Sequence, residues 1–600
     1  MVQPNEDPAE STVNKKLLLE EEAKKTEETG SSQDANSLPK DSKEEDSDTS
    51  NHKLQLEDLL DKVCGPGRFT CLLLVIGFIN NICPGAVSLG HALFLYTPKF
   101  LCDVNATLAG LASPSNLHGN SNDCDLTVSE DQCSLTLSNC TASNLLGQFA
   151  CTAWSFDSTH LAVTVVTRFM LVCDRAPLSR LPATLYFVGF LIGSTSYGLF
   201  SDKIGRRLAL LIATLHLSLF AFVLAVVPTF PLLLAAEVLA GAGTAGVITV
   251  SCALLVELTP RRLRSQLLFN GSHGWCMGIL TIGLAAWFMP DYRHQLAAAG
   301  CIGLLGAILS PFLGESPRWL LATDRHRQAG RALIRIAGLN RRSAPNVELL
   351  QGLTPPKTAA TAESTGISQL FRRPGLRRLT LLNWAQFFSI AMCYYGVGLS
   401  IGSLGGSVVL SCILMALVEP PSRFLGGFLC TRFGRRPVLG VCFACIGAAI
   451  IACSLIIQQP GLAAVRTACA IFGTFWSCLA FTTVWLYANE AFPTPVRALG
   501  AGSGSTLARV GALLSTLVAM LDSYWPPAPF AVFGSVAMAT LLVVYLLPET
   551  GGMVDLPATM DEGDRLGRLI GTGSGSGKAA KSREVVMKLP DDAQGVREAV

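Results

Sequence analysis

The sequence predicts an all-α polytopic membrane protein with twelve transmembrane helices in two parallel six-helix repeats. Half of the 600 residues are apolar and only 15% are charged. About a dozen apolar runs each approach the length that crosses a bilayer. Three marker segments recur in the same order at nearly one offset. A chain so apolar suits lipid better than water as its solvent.

Roughly 20 apolar residues in a helix span the hydrocarbon of a bilayer. Runs of that kind are expected at 69–96, 181–201, 207–227, 231–256, 265–289, 293–313, 379–404, 406–430, 437–458, 464–488, 499–521 and 527–547. Residues 1–58, rich in Glu, Lys, Ser and Asp, offer too little apolar surface to repay the entropy of ordering and are expected to form a disordered cytosolic tail. The chain start lacks the basic segment, short apolar core and cleavage site of a signal peptide, so the first helix is expected to direct insertion. The expected organisation is an N-terminal half at 59–321 with a large extracellular loop at 97–180, a cytosolic linker at 322–378, a C-terminal half at 379–551 and a second disordered cytosolic tail at 552–600. The GTGSGSG stretch at Gly571 to Gly577 in that tail reads as flexible.

Charge sets the expected orientation. The stretch from Asp103 to Thr167 has no Lys or Arg, whereas Arg318 to Arg378 carries twelve, and the short loops with Lys203, Arg206, Arg207 and with Arg261, Arg262, Arg264 lie on the latter's side. Positive residues stay inside, so both termini are expected in the cytosol. The outer loop carries Cys102, Cys124, Cys133, Cys140, Cys151 and Cys173, an even set in an oxidising compartment that allows up to three disulfides of unreadable connectivity. It also holds glycosylation sequons at Asn105 (NAT) and Asn139 (NCT).

Gly198–Arg207, GLFSDKIGRR, is echoed at Gly427–Arg436 by GFLCTRFGRR, an offset of about 229 residues. VELTPRRLR pairs with ANEAFPTPVR, aligning Glu257 with Glu490 at about 233, and GESPRWLL pairs with LPETGG, aligning Glu315 with Glu549 at about 234. Each marker follows a corresponding helix, which implies duplication of a six-helix unit. Such parallel halves place a substrate site between them near the midplane, reached alternately from either side. Asp202, Arg206, Arg207, Glu257, Glu315 and Arg318 in the first copy, with Arg435, Arg436, Glu490 and Arg497 in the second, are expected to form charge pairs that gate the cytosolic side. The second copy has Thr431 in place of the acid Asp202.

These arrays, together with the CTAWSFD…LVCD run before the second span, resemble the organic ion transporters of solute carrier family 22 in the major facilitator superfamily. The resemblance covers Leu59 to Gly551. It implies the major facilitator fold and transport of small organic solutes across the plasma membrane. The helix-four segment AAEVLAGAGTAG departs from the superfamily pattern, with Glu237 where an arginine usually stands.

Ionised side chains inside membrane helices are costly and therefore candidates for function. Arg509, in LARVG of the eleventh span, and Arg423, in VEPPSRFL of the eighth, are two such cations. LARVG resembles the organic anion branch of the family, as does a basic residue at the place of Arg423. An arginine can hold a carboxylate or sulfate through two parallel hydrogen bonds. The other reading pairs Arg423 or Arg509 internally with Glu419 or Glu237. Tyr394, Tyr395 and Phe481 resemble the family's cavity lining, and Ser505 joins them. Asn80 and Asn81, with His91, need partners in lipid, either in the pore or between helices.

The expected function is secondary-active or facilitative transport of small organic anions by alternating access, with exchange against a second anion as one form. A carrier of zwitterions or organic cations, carnitine-like, would instead need an acid in the cavity; a transporter-like receptor would bind its ligand without moving it. No ATP-binding GxxxxGK[ST] loop, metal-ligand spacing or nucleophile–base arrangement occurs in the sequence. Neither enzymatic activity nor a metal or other cofactor is expected, and with a net charge of +2 nucleic acid is not an expected partner. The lipid bilayer is the expected surrounding; the oligomeric state is not legible.

Overall fold

The computed structural model describes residues 56–104, 106–107, 125–129, 131–138, 147–157, 161–259, 261–343, 367–459, 461–551, 557 and 559–569. Asn105, Asn139, Cys124, Cys140, linker residues 344–366 and most of both expected tails lie outside them.

Among the described residues, twelve helices of 18 residues or more follow one another where the apolar runs place them: α1 Arg68–Phe94, α2 Leu181–Ile204, α3 Arg206–Val226, α4 Phe230–Leu258, α5 Arg261–Phe288, α6 Tyr292–Leu309, α7 Pro374–Leu399, α8 Val408–Phe433, α9 Arg435–Ile456, α10 Ala463–Ala491, α11 Arg497–Ala519 and α12 Ala528–Tyr545. Expected and observed ends differ most at α7, which begins at residue 374 rather than 379. Ten of the twelve, all but α5 and α7, are long and apolar enough to cross a membrane. α7 opens with the basic PGLRRL segment and turns Asn383 and Gln386 into the interior, where both are fully buried. Its polar side chains face protein and not lipid: Gln386 Nε2 donates to the Leu382 carbonyl at 3.3 Å, while the Asn383 amide has no hydrogen-bond partner among the described residues.

α2 ends at Gly205 with φ +102° and α8 at Gly434 with φ +93°. That conformation is open to glycine and strained for other residues, and it lets the chain turn at once into α3 and α9. Small residues also set the packing of α2 on α4: a Cβ at Gly189 would stand 1.9 Å from the Val238 carbonyl oxygen. Close backbone approach of this kind replaces hydrophobic burial as the adhesive between helices in lipid.

The segment between α1 and α2 contains strands that the sequence reading did not anticipate. β1 (Phe100–Cys102) pairs antiparallel with β5 (Trp154–Phe156), and β2 (Asp125–Val128), β3 (Ser134–Ser138) and β4 (Gly147–Ala150) form an antiparallel meander. Disulfides Cys102–Cys151 and Cys133–Cys173 tie these strands to each other and to the turn that leads into α2.

Two tail boundaries are corrected. Residues 56–58 open a helix, Leu56–Val63, whose Leu59, Leu60 and Val63 are buried. Asn340, after the helix His326–Leu339, clamps that segment to the start of α1: its Oδ1 accepts from the Phe69 N–H at 2.9 Å and its Nδ2 donates to the Val63 carbonyl at 2.8 Å. In the second tail, Met560–Arg568 is helical, opened by a capping box at Thr559 and Glu562. Asp564 there accepts from the Gly375 N–H at 2.7 Å, and Asp561 pairs with Arg373, so this helix docks on the start of α7. Low hydrophobicity hides both helices from a reading based on apolar length.

Alanine at Gly205 or Gly434 is expected to destabilise the protein by roughly 1–3 kcal/mol through the strained φ. The larger loss is expected at Gly205, where a Cβ would lie 2.6 Å from a Glu315 carboxylate oxygen, against 3.0 Å from Glu549 at Gly434. Thermal unfolding of the detergent-solubilised variants measures this; unchanged midpoints would contradict it.

Candidate functional site

The six-helix halves meet along α5 and α8, and there the sequence concentrates polar residues. Glu419 of α8 is fully buried. Its Oε1 accepts from the Tyr394 hydroxyl of α7 at 2.5 Å; its Oε2 accepts from the Cys276 thiol of α5 at 3.0 Å and from Arg423 Nη2 at 3.3 Å. Trp275 Nε1, one residue before Cys276, donates to the Tyr394 hydroxyl oxygen at 3.0 Å. Glu419 and Arg423 share a face because residues four apart on a helix are neighbours. Arg423 is therefore not a cation without a nearby acid: the internal salt bridge, the open alternative in the sequence, is the one formed.

Tyr395 and Tyr394 lie 5.1 Å apart between ring centroids, and Phe481 of α10 lies 6.3 Å from Tyr394. The three predicted aromatics thus come together. Tyr395 continues the wall to Phe187 of α2 at 5.0 Å and Phe187 to Phe190 at 6.3 Å. The guanidinium of Arg509 sits over the face of Phe190, 4.2 Å from its centroid, a stacking that stabilises a desolvated cation by about 2 kcal/mol. Arg509 Nε has no hydrogen-bond partner, and among the described residues no carboxylate pairs with this side chain. Ser505 is partly buried one turn before Arg509 on α11.

Glu237 pairs not with an arginine but with His91 of α1, Oε2 to Nε2 at 3.1 Å, both groups buried. His91 Nδ1 meets the Ser88 carbonyl at 3.2 Å, Ser88 bonds the Tyr186 hydroxyl at 2.5 Å, and that hydroxyl donates to Thr244 at 2.9 Å. This polar belt joins α1, α2 and α4. Asn80 is not brought to the aromatic cluster; it is buried against α6, donating to Ser310 Oγ at 3.1 Å with Gly306 beside it. Asn81 donates to the Gly77 carbonyl of its own helix at 2.7 Å. For Asn80 the choice between pore and helix contact falls to helix contact, because Gly306 leaves room for the amide.

The expected gating charges assemble in two equivalent clusters. Glu315 accepts from the backbone N–H groups of Arg206 (2.8 Å) and Arg207 (3.2 Å), capping α3; Glu549 accepts from those of Arg435 (2.8 Å) and Arg436 (3.0 Å), capping α9. Arg206 pairs with Asp202 and with Glu257, the latter at 3.1 Å, while Arg435 pairs with Glu490 at 2.7 Å. Arg318 donates to the Glu257 carbonyl at 3.1 Å, and Arg497 donates to the Phe492 and Pro557 carbonyls at 3.1 and 3.3 Å. Apart from the Arg497–Pro557 bond, which reaches just past the C-terminal half, each of these bonds closes within one half.

At the opposite, disulfide-bearing end the bonds cross between halves. Arg180, just before α2, pairs with Asp522 beyond α11 at 2.7 Å and donates to the Leu399 carbonyl at the end of α7 at 3.3 Å. One turn inward, Thr184 of α2 and Thr516 of α11 are hydrogen-bonded at 2.9 Å. Sequence reading missed this latch, and also Trp275, Cys276, Phe187 and Phe190. A tryptophan and a cysteine together inside the α5 run were the only local hint; nothing local links Arg180 to a residue 342 positions away.

Comparison with known proteins follows the same lines. A family profile described as sugar (and other) transporter matches residues 109–554. Solute carrier family 22 member 12 of Rattus norvegicus is 30% identical over 413 residues, 68% of this chain and 74% of its own length. Solute carrier family 22 member 7 of Bos taurus is 30% identical over 414 residues, 69% and 75%, and member 6 of Bos taurus is 29% identical over 439 residues, 72% and 78%. The inward open conformation of the xylose transporter XylE from E. coli superposes with a TM-score of 0.55 at 16% identity, covering 83% of this chain and 98% of that one. A partially occluded inward open form of XylE, also at 16% identity, gives 0.53, covering 83% and 100%. At that identity the likeness shows the fold.

Cysteines in place of Thr184 and Thr516 are expected to form a disulfide under mild oxidation. With a protease site inserted in the 344–366 segment, the cleaved halves should then migrate together until reduced. Separation without reductant would mean that α2 and α11 do not meet.

Proposed function

Because the chain belongs to the sugar (and other) transporter family and, within it, to solute carrier family 22, multi-pass membrane transporters rather than enzymes, we propose that it carries small organic anions across the plasma membrane by alternating access. The observation that carries this reading is Arg509: a cation deep in α11, over Phe190, with no carboxylate partner among the described residues and with Nε unused. An ion held in low dielectric without a counter-ion is unfavourable, and an incoming carboxylate or sulfate supplies both the charge and two acceptors for the guanidinium. Tyr395, Phe187, Tyr394 and Phe481 give the apolar or aromatic remainder of such a solute a wall to stack on.

The two acids nearest this wall are engaged, Glu419 with Arg423 and Glu237 with His91. A cation or zwitterion carrier needs a carboxylate free for its substrate, so the pairing supports the anion reading. The disulfide-bearing end is the outer one in this proposal, with both termini cytosolic and Asn105 and Asn139 glycosylated. The Arg180–Asp522 and Thr184–Thr516 contacts then close the outer entrance, and the arginine–glutamate clusters stiffen the cytosolic end of each half as it rocks. Exchange against a second anion fits a cation that needs a counter-ion on each crossing.

Uptake of labelled estrone sulfate, urate, para-aminohippurate, carnitine and tetraethylammonium into expressing cells tests this. Saturable uptake is expected for one or more of the anions, falling about tenfold or more in Arg509→Gln with surface expression unchanged, and less in Arg509→Lys, which keeps the charge without the fork. Uptake confined to the cations and indifferent to Arg509 would refute the proposal. Surface binding with no saturable accumulation would point to a receptor instead.

A further inference from the structure

Resting on the anion reading above, we propose that the site is built for solutes of a single negative charge and that Glu419 sets this limit. Among the described residues, the charges within the bundle, away from the helix ends, add up to one. Glu419 and Arg423 are joined at 3.3 Å and cancel. His91 Nδ1 faces a carbonyl, which only accepts, so that nitrogen carries a proton; the 3.1 Å contact of Nε2 with the Glu237 carboxylate then holds one proton between them. Whichever partner holds it, the pair is neutral. His216 bonds the Tyr197 hydroxyl at 2.5 Å, and His273 stacks on Phe424, next in the chain to Arg423, where a second positive charge would be repelled. Arg509 remains as the single uncompensated charge among the described residues.

A monocarboxylate or monosulfate on Arg509 makes the loaded site neutral, the state that costs least to occlude in low dielectric. A dianion of the same size brings a second negative charge into the same volume. The cation that would receive it, Arg423, is already held by Glu419, and Glu419 itself repels the newcomer. Glu419 is in turn fixed by Tyr394 and Cys276, so it cannot swing away without breaking two further hydrogen bonds. It acts as a built-in occupant of the second anion position.

Glu419→Gln tests this. The amide oxygen still accepts from Tyr394, the volume is unchanged, and the negative charge on Arg423 is gone. Uptake of a matched pair, an aryl monocarboxylate and the aryl dicarboxylate of the same ring, is measured at pH 7.4. The wild type should prefer the monocarboxylate by about tenfold or more, and Glu419→Gln should raise the dicarboxylate-to-monocarboxylate ratio by about tenfold. Glu419→Asp, which keeps the charge, should stay close to the wild-type ratio. The double variant Glu419→Gln/Arg423→Gln restores the net charge of one and should return to monocarboxylate preference; it also serves if the single variant fails to reach the surface. Equal wild-type uptake of both solutes, or a ratio unmoved by Glu419→Gln at intact surface expression, overturns the inference and leaves the anion carrier standing. Uptake of cations alone overturns both.

Discussion

A charge inside a bilayer must have a partner, and most of this structure follows from how each one is supplied. Hydrocarbon offers neither hydrogen bonds nor counter-ions, so polar groups either pair within the protein or gather at the ends of helices. Glu419 takes Tyr394, Cys276 and Arg423; Glu237 takes His91; Asn80 takes Ser310. Against that background Arg509 stands out by having an aromatic face in place of an acid.

The same requirement governs the helix ends. The first N–H groups of a helix have no partner within it and carry a partial positive charge. At α3 and α9 they meet Glu315 and Glu549, each arriving from the segment after the sixth helix of its half. That contact closes each half on itself, joining its third helix to the chain beyond its sixth. It needs a glycine at the preceding turn, because the carboxylate fills the space where a Cβ would be. Glycine, arginine and glutamate are therefore one device, and its two copies made the duplication readable.

What was legible in the sequence was local. Helix length, the glycine-bearing turns and the repeat offset are properties of short segments. The aromatic group Tyr394, Tyr395 and Phe481 was legible through resemblance, and the structure brings its members together. Partnerships across the fold were not. Whether Arg423 had an acid depended on which face Glu419 turned inward, and Arg180 and Asp522 are separated in the chain by the ten helices α2 to α11. The docked helix Met560–Arg568 was lost because its stabilisation comes from a capping box and a buried aspartate, which apolar length does not register.

The duplication also explains why Arg509, among the described residues, lacks an acid partner. α2 meets α11 across the interface as α8 meets α5, and the offsets place residues of these pairs in correspondence. The α2–α3 marker shifts Phe190 by 229 to Glu419; the marker at the end of α4 shifts Cys276 by 233 to Arg509. The Phe190–Arg509 stack and the Glu419–Cys276 hydrogen bond thus occupy equivalent places at the two contacts between the halves. In one, a cation lies on an apolar ring; in the other, a carboxylate holds a thiol and an arginine of its own helix. A symmetric arrangement of charge would give two free cations or none. Divergence at these two positions leaves the α5–α8 contact satisfied and the α2–α11 contact with a cation on an apolar ring, so under the proposed function the anion is held off the pseudo-symmetry axis, toward α2 and α11.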